Sequence, residues 1–174
     1  MPYTYVWDLF VRVFHWSLVV LFAANALVID EDSKLHHWVG YAVVVLVGAR
    51  LIWGFVGTRY ARFASFPPSI SGATEQLTEI ATGRAHKHVG HTPLGALMIY
   101  NLLATLLLIG LSGYLMTTTM FWGADWLEGL HKLAVSWAEI AVALHIAAVV
   151  YESRRLKINL PRAMVTGYKD MGPE

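Results

Sequence analysis

Residues 130–151 read LHKLAVSWAEIAVALHIAAVVY. At the 1.5 Å rise of an α-helix, this stretch reaches about 33 Å, enough to cross a hydrocarbon core of ~30 Å. Its polar exceptions are few: Lys132 at the start, Glu139 within, and His131 and His145. The two histidines stand 14 residues apart, just under four turns, so they project from nearly one face. Along the axis they are about 21 Å apart. A lipid-crossing helix with two imidazoles on one face at two depths predicts a polar cargo inside a helical bundle.

Three further stretches match it. Segment 9–29 is charge-free after Arg12. Segment 35–56 is interrupted only by histidines and Arg50. Segment 94–116 lies inside a run, 92–124, with no charge at all. Across the 174 residues, 56% are hydrophobic and only 14% charged, against ~25% charged in a soluble domain. Such a chain lacks the polar surface of a water-soluble globule and the charge of a disordered one. The length suits one domain, 1–174. A net charge of +1 implies no nucleic-acid partner. The absence of cysteine excludes disulfides, thiolate metal centres and covalently attached haem. The expected fold is all-α: an integral membrane four-helix bundle spanning at 9–29, 35–56, 94–116 and 130–151.

Basic residues set the expected orientation. Loops 30–34 and 125–132 hold one each, Lys34 and Lys132, among the acids Asp30, Glu31, Asp32, Asp125 and Glu128. The long loop 57–93 holds Arg59, Arg62, Arg84 and Lys87. The tail holds Arg154, Arg155, Lys157, Arg162 and Lys169. Both termini and the long loop are therefore expected on the cytoplasmic side. No basic residue precedes Arg12 and no small-residue cleavage site follows the first apolar run, so that run reads as retained. In the long loop, Phe66-Pro67-Pro68-Ser69 signals a helix start. The stretch 71–84 then reads as a short amphipathic helix on the membrane or as a plain polar linker.

The histidines pair by depth. His15 shares the inner level with His145, and His36 or His37 shares the outer level with His131. Two imidazoles facing each other across a bundle supply the axial ligands of a six-coordinate haem. The competing reading is an intramembrane histidine hydrogen-bonded to a neighbouring helix. The axial distance between His131 and His145 forbids a shared zinc or copper ion. His86, His88 and His91 cluster in the long loop around Lys87, with a spacing that matches no metal motif, and read as loop residues.

These residues resemble the bacterial cytochrome b561 family, which includes the b-type cytochrome subunits of nickel–iron hydrogenases and the membrane subunits of some formate dehydrogenases. The matching strings are Trp7-Asp8, Phe14-His15-Trp16, Leu35-His36-His37-Trp38-Val39-Gly40-Tyr41, Arg50 to Gly57, Gly90-His91-Thr92-Pro93-Leu94-Gly95-Ala96, His131, Leu144-His145-Ile146-Ala147, and Arg162 to Gly167. The resemblance implies two haem b groups ligated by His15, His36, His131 and His145. His36 is selected over His37 because it stands four residues before Gly40, as in the family pattern. Lys132 departs from the glutamate common there, and Glu139 between the haem levels is unexpected. It reads either as paired to Asn25 or Tyr100, or as handling protons or tuning haem potential. Arg50, 14 residues after His36, would reach an inner propionate or snorkel to the headgroups; Arg12 is a second propionate candidate. Gly40, Gly48, Gly110 and Gly113 permit close helix or porphyrin approach. Trp7, Trp38, Trp53, Trp122 and Trp126 suit an aromatic belt.

The function so implied is electron transfer in the bacterial inner (cytoplasmic) membrane between the quinone pool and a separate redox protein. That partner is a periplasmic cytochrome c or a dehydrogenase or hydrogenase subunit. The chain would be an electron-transfer protein or a subunit of a membrane oxidoreductase. The alternatives are a superoxide:quinone oxidoreductase without a large partner, a haem-free metal or proton carrier, and a subunit that only anchors its partner.

Overall fold

Most of the long helices start where a side chain accepts from an otherwise orphaned backbone N–H. In the computed structural model, which describes residues 3–84 and 86–172, Asp8 caps α1 (Leu9–Leu27) by accepting from Val11 N at 2.8 Å. Ser33 caps α2 (Lys34–Val56) through His36 N at 3.2 Å. Ser69 caps α3 (Ile70–Ala81), and Thr92 caps α4 (Pro93–Met116), whose first residue is a proline. α5 (Asp125–Leu156) has no side-chain cap. Instead Asp125 and Glu128 lie in its first turn and Arg154 and Arg155 in its last, each matched to the helix dipole. A short α6 (Leu160–Thr166) follows. A 3-10 turn, Phe63–Ser65, lies between α2 and α3.

Four of these helices, α1, α2, α4 and α5, are long and apolar enough to cross a membrane. Most of their surface is left uncovered by the rest of the chain, as lipid-facing surface is. α5 has 32 residues and reaches about 48 Å, overshooting the hydrocarbon at both ends. The sequence placed this span at 130–151, because hydropathy sees only the buried part of a helix. α1 ends at Leu27, two residues short of its expected end. The stretch read as amphipathic helix or linker is helical as α3. Its Gln76 is buried and accepts from Leu94 N at 3.0 Å, which docks α3 on the start of α4.

α1 packs on α2, α2 on α4, and α4 along α5. α5 makes at most sparse contact with α1 and α2. Phe14, Val43, Val47, Leu103 and Leu106 form the core between α1, α2 and α4. At the α2–α4 crossing a Cβ on Gly110 would overlap Val44 Cγ2. α5 buries a stripe of Ala134, Ala138 and Ala141, small residues that let backbones approach.

Both termini and the long loop meet at one end of the bundle. β1 (Tyr3–Tyr5) pairs antiparallel with β2 (Tyr168–Asp170), a small sheet the sequence did not suggest. Val6 N and Trp7 N donate to Gly167 O at 2.9 and 3.1 Å. Gly167 sits at φ 87°, with Trp7 O 2.7 Å from where a Cβ would stand, so only glycine fits. Asp8 also accepts from Trp53 Nε1 at 3.0 Å and Thr58 Oγ1 at 2.6 Å, joining α1 to α2. Trp7 and Trp53 thus have structural tasks beyond that of an aromatic belt: Trp7 is buried and Trp53 is a donor to Asp8.

Two stability effects follow. Gly110→Ala should cost about 1–3 kcal/mol through overpacking. Val44→Ala in the same chain should restore much of the loss, read as thermal midpoints; an unchanged midpoint for the single variant would refute the close approach. Burial raises the Asp8 pKa, but hydrogen bonds from Thr58, Val11 and Trp53 and the charge of Arg50 outweigh it, holding the carboxyl below its ordinary value. A depressed pKa gives stability that is present above the unfolded value, about 4, and lost as pH falls through the folded one. Asp8→Ala should therefore be less stable at neutral pH and lose less on acidification.

Candidate functional site

The histidines of the spans fall at two levels. At the end away from the termini, His36 lies in the first turn of α2, and its ring Nδ1 is buried with no protein partner. His131 lies in the second turn of α5, within coulombic reach of His36. Its Nδ1 is 3.0 Å from Ser112 Oγ on α4. The Ser112 hydroxyl itself donates to Leu108 O at 2.7 Å, so its oxygen is left to accept from His131 Nδ1–H. That places the proton on Nδ1 and the free lone pair on Nε2, the arrangement of a metal-ligating imidazole. Gly113 leaves room for this ring, since a Cβ there would stand 3.2 Å from His131 Cε1.

At the other level, His15 on α1 and His145 on α5 are within coulombic reach of each other. Both are half-buried, and His15 Nδ1 is buried without a protein partner. The His15 ring meets Trp16 edge-on at 5.2 Å. His37 is exposed, with its ring perpendicular to that of His36.

Arg12 stands three residues before His15 on α1, and Arg50 lies within coulombic reach of Asp8, Tyr100 and His91. Arg50 is only 3% exposed, which removes the snorkelling alternative. Its Nη2 donates to Ala61 O at 3.1 Å and its guanidinium lies 5.2 Å from the Phe63 ring centroid. Its Nη1 is buried and unpartnered. Arg12 donates through Nη1 to Val165 O at 2.8 Å and keeps a buried, unpartnered Nε. Each arginine thus holds one nitrogen on the backbone and one buried nitrogen free to donate to an anion.

Glu139 does not form the expected pair. It is exposed and makes no hydrogen bond to Asn25 or Tyr100. Asn25 Oδ1 is buried and unpartnered, and Asn101 accepts instead from Trp137 Nε1 at 3.1 Å. A helix of this pitch puts position 139 about 80° from His131, off the face the histidines share.

His91 is not an ordinary loop residue. Its ring lies between Trp7, at 4.6 Å, and Phe66, at 4.2 Å. Burial, reinforced by the charges of Arg50 and Lys169, pushes its pKa down to about 3, so it is neutral. His86 and His88 have ring centroids 4.7 Å apart. Among the described residues no group of three His, Cys, Asp or Glu side chains is arranged to hold a metal ion.

Sequence reasoning missed Ser112, and gave His91 only as a loop residue within a family string and Lys169 only as a basic residue of the tail. Ser112 lies 19 residues before His131 on another helix, and no local pattern links them.

Imidazoles of different helices within coulombic reach of each other, with Nδ1 bonded on His131 and buried on His15 and His36, and a free guanidinium nitrogen on Arg12 near His15, suit an iron porphyrin with its carboxylates. The class of protein is therefore a membrane-embedded helical bundle with a histidine-rich interior. The chain belongs to the prokaryotic cytochrome b561 family, whose model matches residues 6–167. That family consists of b-type cytochromes and implies b-type haem. No curated protein and no solved structure matches the chain.

Ser112→Ala tests the outer level. Removing the acceptor makes the His131 imidazole a weaker donor, which stabilises the ferric state less. A haem ligated by His131 should therefore show a raised midpoint potential, with about 10–100-fold looser retention at most. Redox titration followed at the Soret band reads this; identical titrations for variant and wild type would remove Ser112 from the site.

Proposed function

We propose that the protein is a di-haem b-type cytochrome of the inner membrane that passes electrons between the quinone pool and a separate redox protein. Its termini and long loop lie on the cytoplasmic side. The observation that carries the reading is the matched placement of histidines from different helices at two depths within one family-defined bundle. Bound haem b would supply a one-electron iron couple at each level.

The chain's own residues have definite tasks. His15 and His145 would ligate the inner group, and His36 and His131 the outer. Two histidines per haem would leave no open coordination site for oxygen, which suits relay rather than substrate binding. Ser112 holds His131 in the ligating tautomer. Arg50 and Arg12 would donate their free nitrogens to propionates of the inner haem. The core around Phe14 and Leu106 keeps water away from the buried face.

The outer surface favours a protein partner over superoxide. Lys132 is bridged to Glu128 at 2.8 Å and lies 3.9 Å from Glu31, so its charge is spent on acids. The short outer loops then present a negative field, which steers a cationic protein inward and repels a small anion.

Purified protein should hold two haem b per chain, quantified by pyridine haemochrome against protein mass. His36→Ala or His131→Ala should remove one spectrum, and His15→Ala or His145→Ala the other. Full haem content in all four variants would overturn the ligand set, and haem-free wild type would return the carrier and anchor readings.

A further inference from the structure

At the end that carries the termini, a cavity of about 450 Å³ opens between the segment after α2 and the loop leading into α4. Arg59, Tyr60, Ser65, His88 and His91 line it, with the backbone of Val89 and Gly90. It lies away from the facing histidine pairs, and the electron relay makes no use of it.

Its surroundings are positive. Lys169 is 3% exposed, and its Nζ donates to the carbonyls of His88 (2.6 Å), Val89 (3.2 Å) and Gly90 (3.3 Å), which form the cavity wall. The ammonium therefore sits directly behind the loop, held by carbonyls alone: no carboxylate bridges it among the described residues. Arg50, also buried, lies within coulombic reach of His91, but its charge already faces Asp8. His91 has a buried, unpartnered Nδ1. Arg59, its guanidinium 5.6 Å from the Tyr60 ring centroid, stands exposed at the cavity. The acids nearest His88 are Glu79 and Glu152, and Glu152 is already paired to Arg155 at 2.9 Å. Lys169 is thus a buried cation with no bridging carboxylate beside a lined space, and an unpaired buried donor such as His91 Nδ1 is costly. An anion in the cavity would offset both.

We infer that this cavity binds a phosphate group, held by Arg59, His88 and His91 with Lys169 as a fixed charge behind. Its place at the membrane surface makes an anionic phospholipid headgroup one source and a soluble phosphate the other. The inference is independent of haem content.

The test compares wild-type protein, purified in detergent, with Arg59→Gln, His88→Gln and, as a control, Arg62→Gln, an exposed arginine outside the cavity. Native mass spectrometry counts retained phosphatidylglycerol and phosphatidylcholine supplied at equal mole fraction. Line broadening in phosphorus NMR reads inorganic phosphate. A headgroup site predicts preferential retention of phosphatidylglycerol, weakened roughly tenfold by Arg59→Gln and His88→Gln and unaltered by Arg62→Gln. A soluble-phosphate site predicts no lipid preference but phosphate broadening that Arg59→Gln abolishes. Equal retention of both lipids without phosphate broadening overturns the inference. So does any preference or broadening that Arg59→Gln and His88→Gln leave at the wild-type level.

Discussion

A polar group inside hydrocarbon has no water to turn to, and its partner must come from the protein or from something the protein holds. That constraint orders the interior of this bundle. Thr105 and Ser112 return their hydroxyl protons to carbonyls one turn back on α4. Asn101 takes the Trp137 indole. Ser112, with its proton committed, becomes an acceptor and fixes the ring of His131. Among the described residues, four of the six buried side-chain atoms without a protein partner, on His15, His36, Arg12 and Arg50, belong to residues the haem reading uses; the other two are Asn25 Oδ1 and His91 Nδ1.

Packing follows the same division. Close contacts run in a chain from α1 through α2 and α4 to α5, and the small-residue crossings at Gly110 and along the α5 alanines tighten that chain. α5 leans on α4 and only sparsely on α1 and α2. The face that carries His131 and His145 therefore looks across at the helices carrying His36 and His15. A bundle packed equally on all sides would have no room for imidazoles to meet a planar group between them.

The four spans, the depth of each histidine and the family were legible because hydropathy and a 14-residue spacing are properties of single helices. What the sequence hid arises between elements. Hydropathy cannot see that α5 begins at Asp125, since its first turn lies outside lipid. Asp8 reads as part of a family string, but its bonds to Trp53 and Thr58 cross about fifty residues. Trp7 and Trp53 looked like interface tryptophans because their ring type suits that role; their burial depends on how the chain ends fold back. Glu139 was placed inside because it sits between two inward histidines in sequence, whereas the helical pitch turns it away from their face.

The two ends of the bundle differ in construction, and the difference has a functional meaning. One end is a pair of short acidic turns, tied by little more than the Lys132 bridges. The other gathers both termini, the long loop, α3 and α6 into an interlocked layer. Its bonds include the Asp8 hub, the Arg155 contacts to Glu152 and Arg84, and the Lys169 grip on three successive carbonyls. Surface turns of the first kind can meet a partner by charge and release it, because exposed charges govern encounter more than affinity. A layer of the second kind holds fixed buried cations, and their positions cannot relax when a charge changes nearby. Any anion or added electron at that end is met by a preset field rather than by reorienting side chains. The charges that reach the histidines differ as well: Glu31 and Lys132 stand within coulombic reach of His131, whereas the group within such reach of His15 is its partner His145.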